Sequence, residues 1–310
     1  MNQKAQILAE GNWNSYKFRA SQLGKIMSKP KGKSPLEKYN EAVAKQTELE
    51  SDVATIIKKM SNREKILKTE ENKIIKYSDL TYSISKLKDT LSYPWLSDTA
   101  KTYLAQIYVQ EIYGREDDIM NKYMQKGLML EEDAITQHSI LTGKFFKKNT
   151  IRKNNDFVEG EFDYEDEEED TIIDAKCSWS IFQFYKTVVK PLDPIYVWQM
   201  KSYLWLTGRK NGLVIHSLLD TPESILAAEM QKMKYNFTSS QSDFEQACLE
   251  LKNNHTYIDI PKEEKESTKI VNLTEEDVIA MQTQINHARN YLNNFKNLKN
   301  KTYVTEEMDE

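Results

Sequence analysis

Between Gly32 and Gly114 the chain contains no glycine, and between Pro35 and Pro94 it contains no proline. A stretch of that length without either residue has to be mostly helical, because nothing in it supplies the positive φ or the locked ring that ends helices and makes turns. Within it Leu49, Val53, Ile56 and Met60, and later Leu80, Ile84, Leu87 and Leu91, recur at three-and-four spacing, while the rest is Lys, Glu, Asn and Ser. The spacing predicts a pair of amphipathic helices, an inserted arm over residues 33–95 that projects from the main body. A stripe this narrow suits a solvated helical hairpin, or a clamp on a substrate or another subunit.

The remaining chain is long enough to build a core without staples. With 310 residues, 39% hydrophobic and 29% charged, the composition is that of a folded globular protein and excludes wholesale disorder and collagen-like classes. No window approaches the roughly eighteen apolar residues of a membrane span, and the start MNQKAQILAE lacks a signal peptide's apolar centre, so a cytoplasmic address without membrane contact is expected. Cys177 and Cys248, without CxxC spacing, cannot build a disulfide framework or a zinc or iron–sulfur site. His138, His216, His255 and His287 are too scattered for zinc hydrolase chemistry, and the absence of a GxxxxGK[ST] loop argues against ATP as fuel. The net charge of -5 speaks against a protein that coats nucleic acid by charge alone. It leaves room for a DNA enzyme with basic contacts confined to one channel.

From Leu96 the segment LSDTAKTYLAQIYVQEIYG has Ser97 or Asp98 as helix cap and Gly114 as stop. A second helix is expected from near Asp117 to about Leu141, followed by the basic run Lys144 to Asn155. FVEGEFDY and TIIDAK, joined by a polar hexamer, read as a β-hairpin. A helix follows from about Pro194 to Gly208, then the strand LVIHSL, then ILAAEMQKMKYNF, which the pattern leaves open between helix and strand. Thr274 and Asp277 cap a long final helix with the stripe Val278, Met281, Ile285, Ala288, Leu292 and Phe295, before a frayed TEEMDE tail. The order of elements predicts an α/β fold with a central mixed sheet flanked by helices. A single domain spans 1–310, with its core in 96–260 and the final helix and tail in 261–310.

The chemistry is concentrated in GEFDYEDEEEDTIIDAKCS. Asp163 ends one expected strand, and Asp174 and Lys176 stand at i and i+2 on the next, on one face. Two carboxylates a few ångströms apart repel unless a cation neutralises them, and hard Mg²⁺ or Mn²⁺ is the natural occupant. A lysine beside the pair suits the orientation or deprotonation of an attacking water, or the stabilisation of charge on a phosphate. The pair sits between Ile172, Ile173 and Trp179, in an apolar strand where uncompensated charge costs several kcal/mol. The acidic run Glu165 to Asp170 lacks the glycine and ligand order of an EF-hand and reads as a solvated hairpin tip pointing away from DNA. The basic run Lys144 to Lys153 is the better candidate for backbone contact, or else a solvated loop.

These residues resemble the metal motif of the PD-(D/E)XK nucleases, with Asp174 at the acidic position and Lys176 at the lysine. The surroundings are similar to the lambda-exonuclease-like branch, the YqaJ-type viral recombinases related to the RecB nuclease domain. FRASQLGKIMSKP looks like that family's N-terminal motif, Gly127 to Ala134 like its G-x-x-x-E-x-x-A helix, and VWQMKSYLWLTG like its Q-x-x-x-Y helix. The four segments, in family order, cover about residues 12 to 30 and 96 to 220. Two departures are plain: Phe162 replaces the proline expected before the first aspartate, and Asp174 stands where glutamate is more usual.

The resemblance implies a restriction-endonuclease-like core and a Mg²⁺-dependent exonuclease that hydrolyses linear double-stranded DNA from 5′ to 3′ in phage-type recombination. Glu131, Asp163, Asp174 and the Ala175 carbonyl would hold the metal, with Lys176 and Gln199 completing the catalytic set. Arg19 and Ser21 would grip the DNA terminal phosphate, and Tyr203 would stack on a base or pack in the core. From the residues alone, Glu131 competes with Glu132 and Asp133 for the inward role, and Gly127 would let a neighbour pack close to its helix. Gln199 and Tyr203, at i and i+4, share a helix face. The family also implies a ring-shaped homo-oligomer, a single-strand annealing partner, and the cytoplasm of a bacterium or phage-infected host. An endonuclease on the same core and a catalytically silent DNA-binding or assembly protein are the alternatives.

Overall fold

The computed structural model describes residues 3–91, 95–117, 120–236 and 240–299. A short helix, α1 (Gln3–Ala9), leads to a two-residue strand, β1 (Phe18–Arg19), which passes through a single 3-10 turn (Ala20–Gln22) into α2 (Leu23–Ile26). Two long helices follow, α3 (Pro35–Ser61) and α4 (Lys68–Thr90). Ser34 caps α3 in a reciprocal capping box with Glu37, with Pro35 at the first helical position. The two helices pack on each other, and α4 buries none of its residues.

Helix α5 (Asp98–Tyr113) starts where Ser97 accepts a hydrogen bond from the Ala100 N–H and stops at Gly114, whose φ of 61° closes the turn. The helix expected from Asp117 to Leu141 is two helices, α6 (Lys122–Met129) and α7 (Glu131–Thr142), separated at Leu130. Strands β2 (Lys153–Asn154), β3 (Val158–Gly160), β4 (Tyr164–Asp166) and β5 (Thr171–Cys177) come next, then α8 (Ile181–Val189), α9 (Pro194–Thr207) and β6 (Asn211–Ser217). The undecided ILAAEMQKMKYNF segment is helical, in α10 (Glu223–Asn236). Helix α11 (Gln241–Asn253), strand β7 (Glu266–Asn272), α12 (Glu275–Asn293) and α13 (Phe295–Lys299) complete the described chain. The TEEMDE tail lies outside the described residues.

The main sheet has the order β4-β5-β6-β7, with β5 and β6 parallel and both outer pairs antiparallel. The parallel pair is joined through α8 and α9, as a parallel connection requires. Alternation divides β5 cleanly. Ile173 and its partner Tyr164 pack with Ile135 of α7, Phe146 and Ile215, whereas Ile172 packs with Val214 and with Met200, Tyr203 and Leu204 of α9. Asp174 and Lys176, in step with Ile172, therefore lie on the α9 face.

FVEGEFDY does not form one strand. Its first part, β3, belongs to a separate small sheet between β1 and β2, and only β4 joins the hairpin with β5. Gly160, which ends β3, packs closely on Ala20 and Tyr203: a Cβ there would stand 2.7 Å from Ala20 Cβ and 3.0 Å from the Tyr203 ring. Strand β7 lies beyond position 260 and pairs with β6 along its length, so the sheet extends into the segment expected to hold only the final helix. The largest core cluster joins Trp13, Phe18 and Leu23 to Leu104 and Ile107 of α5 and Met281, Ile285 and Leu292 of α12. Among the described residues, no helix is long and apolar enough to cross a membrane.

Candidate active site

Asp174 and Lys176 lie near the C-terminal end of β5, and Asp163 lies at the bend just before β4, not at the end of a preceding strand. The hairpin register pairs Tyr164 with Ile173, so one step outward sets Asp163 against Asp174. Asp163 Oδ2 accepts a hydrogen bond from the Ala175 N–H at 2.7 Å, which pins the bend to β5. Lys176 Nζ stands 2.6 Å from Asp174 Oδ2. The other Asp174 oxygen, Oδ1, accepts from Gln199 Nε2 at 3.1 Å, and the same amide donates to the Tyr203 hydroxyl at 3.2 Å.

Burial sets the electrostatics of this cluster. Asp174 is 1% exposed. Burial, and then the charge of Asp174, push the Asp163 carboxyl up to about 8, against the pull of Lys176 and the Ala175 N–H. For Lys176, burial works against the ammonium, but Asp174 and Asp163 outweigh it and hold the group above its ordinary value. One ammonium thus faces two carboxylates, and the cluster lacks positive charge.

Glu131 opens α7 and is half-buried, while Glu132 and Asp133 are exposed. The Glu131 carboxylate is paired with Lys148 at 3.0 Å. Among the described residues no three His, Cys, Asp or Glu side chains form a ready-made metal site, so Glu131 does not close the ligand set with the two aspartates. The donor chemistry nonetheless fits a hard divalent cation: a buried and a half-buried carboxylate meet at the hairpin, and Asp163 is driven toward protonation by desolvation and by the charge of Asp174. Gly127 has no close-packing role, since a Cβ there would meet nothing within 4 Å. The α6–α7 junction is instead tied to β5 by Cys177 Sγ, which contacts the Leu130 carbonyl at 3.6 Å, and α6 is tied to the segment after β5 by Lys126 Nζ, which donates to the Trp179 carbonyl at 3.2 Å.

The basic run is largely engaged within the protein. Lys144 pairs with Asp166 at 2.7 Å and with Glu168 and Glu169 of the hairpin tip, Lys148 with Glu131, and Arg152 with Glu159. Arg209 holds Glu165 and Asp170 from the other side. The acidic tip is therefore partly paired by Lys144 and Arg209, and part of the charge expected to meet DNA is already engaged there.

Arg19 ends β1 with its side chain exposed, and Ser21 lies in the 3-10 turn that follows. Both are carried on a segment packed against α9: Ser202 Oγ donates to the Ala20 carbonyl at 3.2 Å, and a Cβ at Gly24 would strike the Ile195 backbone at 2.5 Å. Tyr203 is 3% exposed, within the core beside Met200 and Leu204. It cannot stack on a base; its hydroxyl supports Gln199. Gln199 is itself buried and engaged with Asp174, which removes it from direct contact with phosphate. Sequence reasoning missed Lys148, which counters Glu131, and also Tyr196 and His216, which flank Lys176. Only the position of Tyr196, one turn before Gln199 on the same helix, signals it in advance.

No protein-family model matches the chain, and no curated protein matches it. Among solved structures it is similar to a phage-related exonuclease from Haemophilus somnus 129PT, with a TM-score of 0.58 and 22% identity over 93% of this chain and 99% of that one. It is also similar to an alkaline exonuclease from Laribacter hongkongensis, with a TM-score of 0.45 and 16% identity over 66% of this chain and 84% of the other. With its mixed sheet, the helices on both faces and an arm between α2 and α5, the chain has the fold of the Haemophilus phage-related exonuclease along nearly its full length.

Proposed function

We propose that this chain is a Mg²⁺- or Mn²⁺-dependent deoxyribonuclease that hydrolyses phosphodiester bonds from the ends of linear double-stranded DNA. The observation that carries the reading is the meeting of half-buried Asp163 and Lys176 with buried Asp174 near the C-terminal end of β5. The fold shared with a phage-related exonuclease supports it. The 5′-to-3′ direction, the role in phage recombination, an annealing-protein partner, a ring of identical subunits and a cytoplasmic setting rest on the sequence resemblance.

Asp163 and Asp174, with the Ala175 carbonyl, would hold the metal, and Glu131 is the third carboxylate available once Lys148 gives it up. The cation would supply Lewis-acid charge neutralisation at the scissile phosphate. Lys176, held as an ammonium against Asp174, is placed to orient a water and to offset charge growing on a phosphate oxygen. Gln199 fixes the orientation of the Asp174 carboxylate, and Tyr203 fixes Gln199. Arg19, exposed beside the α9 packing surface, and Ser21 next to it are the candidates for holding a terminal phosphate.

The test is degradation of 5′-phosphorylated linear duplex by the parent and by Lys176→Ala, with Mg²⁺ and with EDTA, beside a covalently closed circle. The parent should degrade the linear duplex only with metal and spare the circle, and Lys176→Ala should lose at least about a hundredfold in rate while still binding ends. Equal rates for parent and variant would remove the assignment. Cleavage of the circle would redirect it to an endonuclease, and failure of Mn²⁺ to bind in calorimetry would redirect it to a silent DNA-binding protein.

A further inference from the structure

Helix α9 presents three side chains to strand β5 along one face: Tyr196, Gln199 and Tyr203, at i, i+3 and i+7. The lower two serve Asp174. Tyr196, in the first turn and half-buried, meets the other member of the pair, because Lys176 Nζ lies 5.1 Å from the centre of its ring. The same ring also stands near His216, with centroids 6.3 Å apart and planes at 64°. His216 is the partner of Lys176 across the β5–β6 ladder, so ring, ammonium and imidazole form one local group. His216 is buried with an unpartnered Nδ1, and burial followed by the charge of Lys176 and Lys269 pushes it down to about 4. It therefore neighbours the ring without adding a second cation.

The Lys176 ammonium thus has two neighbours at once: the Asp174 carboxylate at 2.6 Å and the ring of Tyr196 at 5.1 Å. They differ in a way that matters. While the ammonium sits on Asp174 Oδ2, it occupies the only described contact of that buried oxygen, which a divalent cation would also need. An aromatic face attracts an ammonium through its quadrupole and asks for no anion in return. It can keep the ammonium in the cleft after Asp174 has been given over to a cation.

We propose that Tyr196 is a positioning residue for Lys176, its ring holding the ammonium beside the reacting phosphate when Asp174 binds a divalent cation. The inference rests on the nuclease reading above and adds to it a residue outside the motif that carried the resemblance. The ring is what matters, and the hydroxyl is dispensable.

The experiment compares the full-length parent with Tyr196→Phe, Tyr196→Leu and Tyr196→Gln in steady-state degradation of linear duplex at saturating Mg²⁺ and in calorimetric titration with Mn²⁺ alone. Tyr196→Phe should stay within about twofold of the parent in both measurements, because it keeps the ring. Tyr196→Leu should lower kcat about tenfold with KM within about twofold, and weaken Mn²⁺ binding about tenfold, because the ammonium then competes for Asp174. Should Tyr196→Leu fail to fold, Tyr196→Gln removes the ring while keeping a polar side chain and is expected to show the same losses. A ring-less variant equal to the parent in kcat and Mn²⁺ affinity would overturn the inference, as would a Phe variant that falls as far as Leu or a loss confined to KM. Those outcomes leave the parent active and the nuclease reading standing; a parent that neither cleaves nor binds Mn²⁺ overturns both.

Discussion

Asp163 shows how a single position can be set against the stability of the fold that carries it. Its carboxyl is buried beside Asp174, and both facts raise its pKa to about 8. An aspartate whose folded value lies above its unfolded value contributes stability only at low pH, and that contribution is lost as the pH rises through the folded value. Above about pH 8 the metal-free protein therefore carries an ionised Asp163 in a desolvated site beside Asp174, which disfavours that charge. Asp163→Asn keeps an oxygen for the Ala175 N–H and removes the charge. In EDTA at about pH 8 it should raise the melting temperature by a few degrees while abolishing cleavage, the usual opposition of stability and activity at a site. A thermal shift in EDTA checks it, and a variant that melts lower than the parent would contradict this account of the hairpin. The pairing of Asp163 with the Asp174 and Lys176 strand was legible in the sequence, because period-two alternation and a turn of fixed length leave little freedom. The roles of Gln199 and Tyr203 were not, since i, i+4 spacing names a shared face and says nothing of whether that face looks inward.

At the scale of elements, legibility followed the strength of local signals. Ser97, Gly114 and the Thr274–Asp277 box carry their own hydrogen bonds, and the helices they bound fall where the sequence places them. Strand β7 escaped because it buries only Val271, so ESTKIVN shows no clean alternation until β6 is beside it. The break between α6 and α7 escaped because it is accompanied by tertiary ties, Cys177 of β5 to Leu130 and Lys126 to the segment after β5. Lys126 is fully buried, donates to the Trp179 carbonyl, and has no ion-pair partner among the described residues. Burial lowers its pKa from 10.5 to about 8. Below about pH 8 the fold bears the full penalty of the buried ammonium, and between about 8 and 10.5 stability should rise by about 3 kcal/mol as that penalty disappears. Lys126→Met should accordingly be more stable than the parent by about 1–3 kcal/mol near pH 7, less the unpaired Trp179 carbonyl, and should lose that advantage near pH 10. Urea unfolding of both proteins at the two pH values decides it; an advantage that does not shrink with pH would exclude the buried charge as its source.

For the whole molecule, the main question is what the arm of α3 and α4 contributes. Its buried residues, Ala42, Val53 and Ile56, belong to no core cluster that includes the sheet, α5 or α12. Its two ends converge: Ser28, just before the arm, and Ser97, just after it, have hydroxyl oxygens 2.5 Å apart. Ser97 also caps α5, so the core is closed at the neck of the arm independently of what hangs from it. Replacing residues 33–91 with a short Gly/Ser linker should therefore leave the remaining chain folded, because closing a short flexible loop between points already in contact costs about 1–2 kcal/mol or less. The shortened protein should melt within a few degrees of the parent, with a lower helical fraction by circular dichroism. With Mg²⁺ it should still hydrolyse short linear duplex, since Asp163, Asp174, Lys176 and Gln199 all lie outside the excised segment. A linker variant that collapses to an unfolded chain would show that α3 and α4 are part of the core. One that stays folded but dissociates from DNA more often per cleavage than the parent would assign the arm its role as a clamp, and the single-turnover rate should then be unchanged.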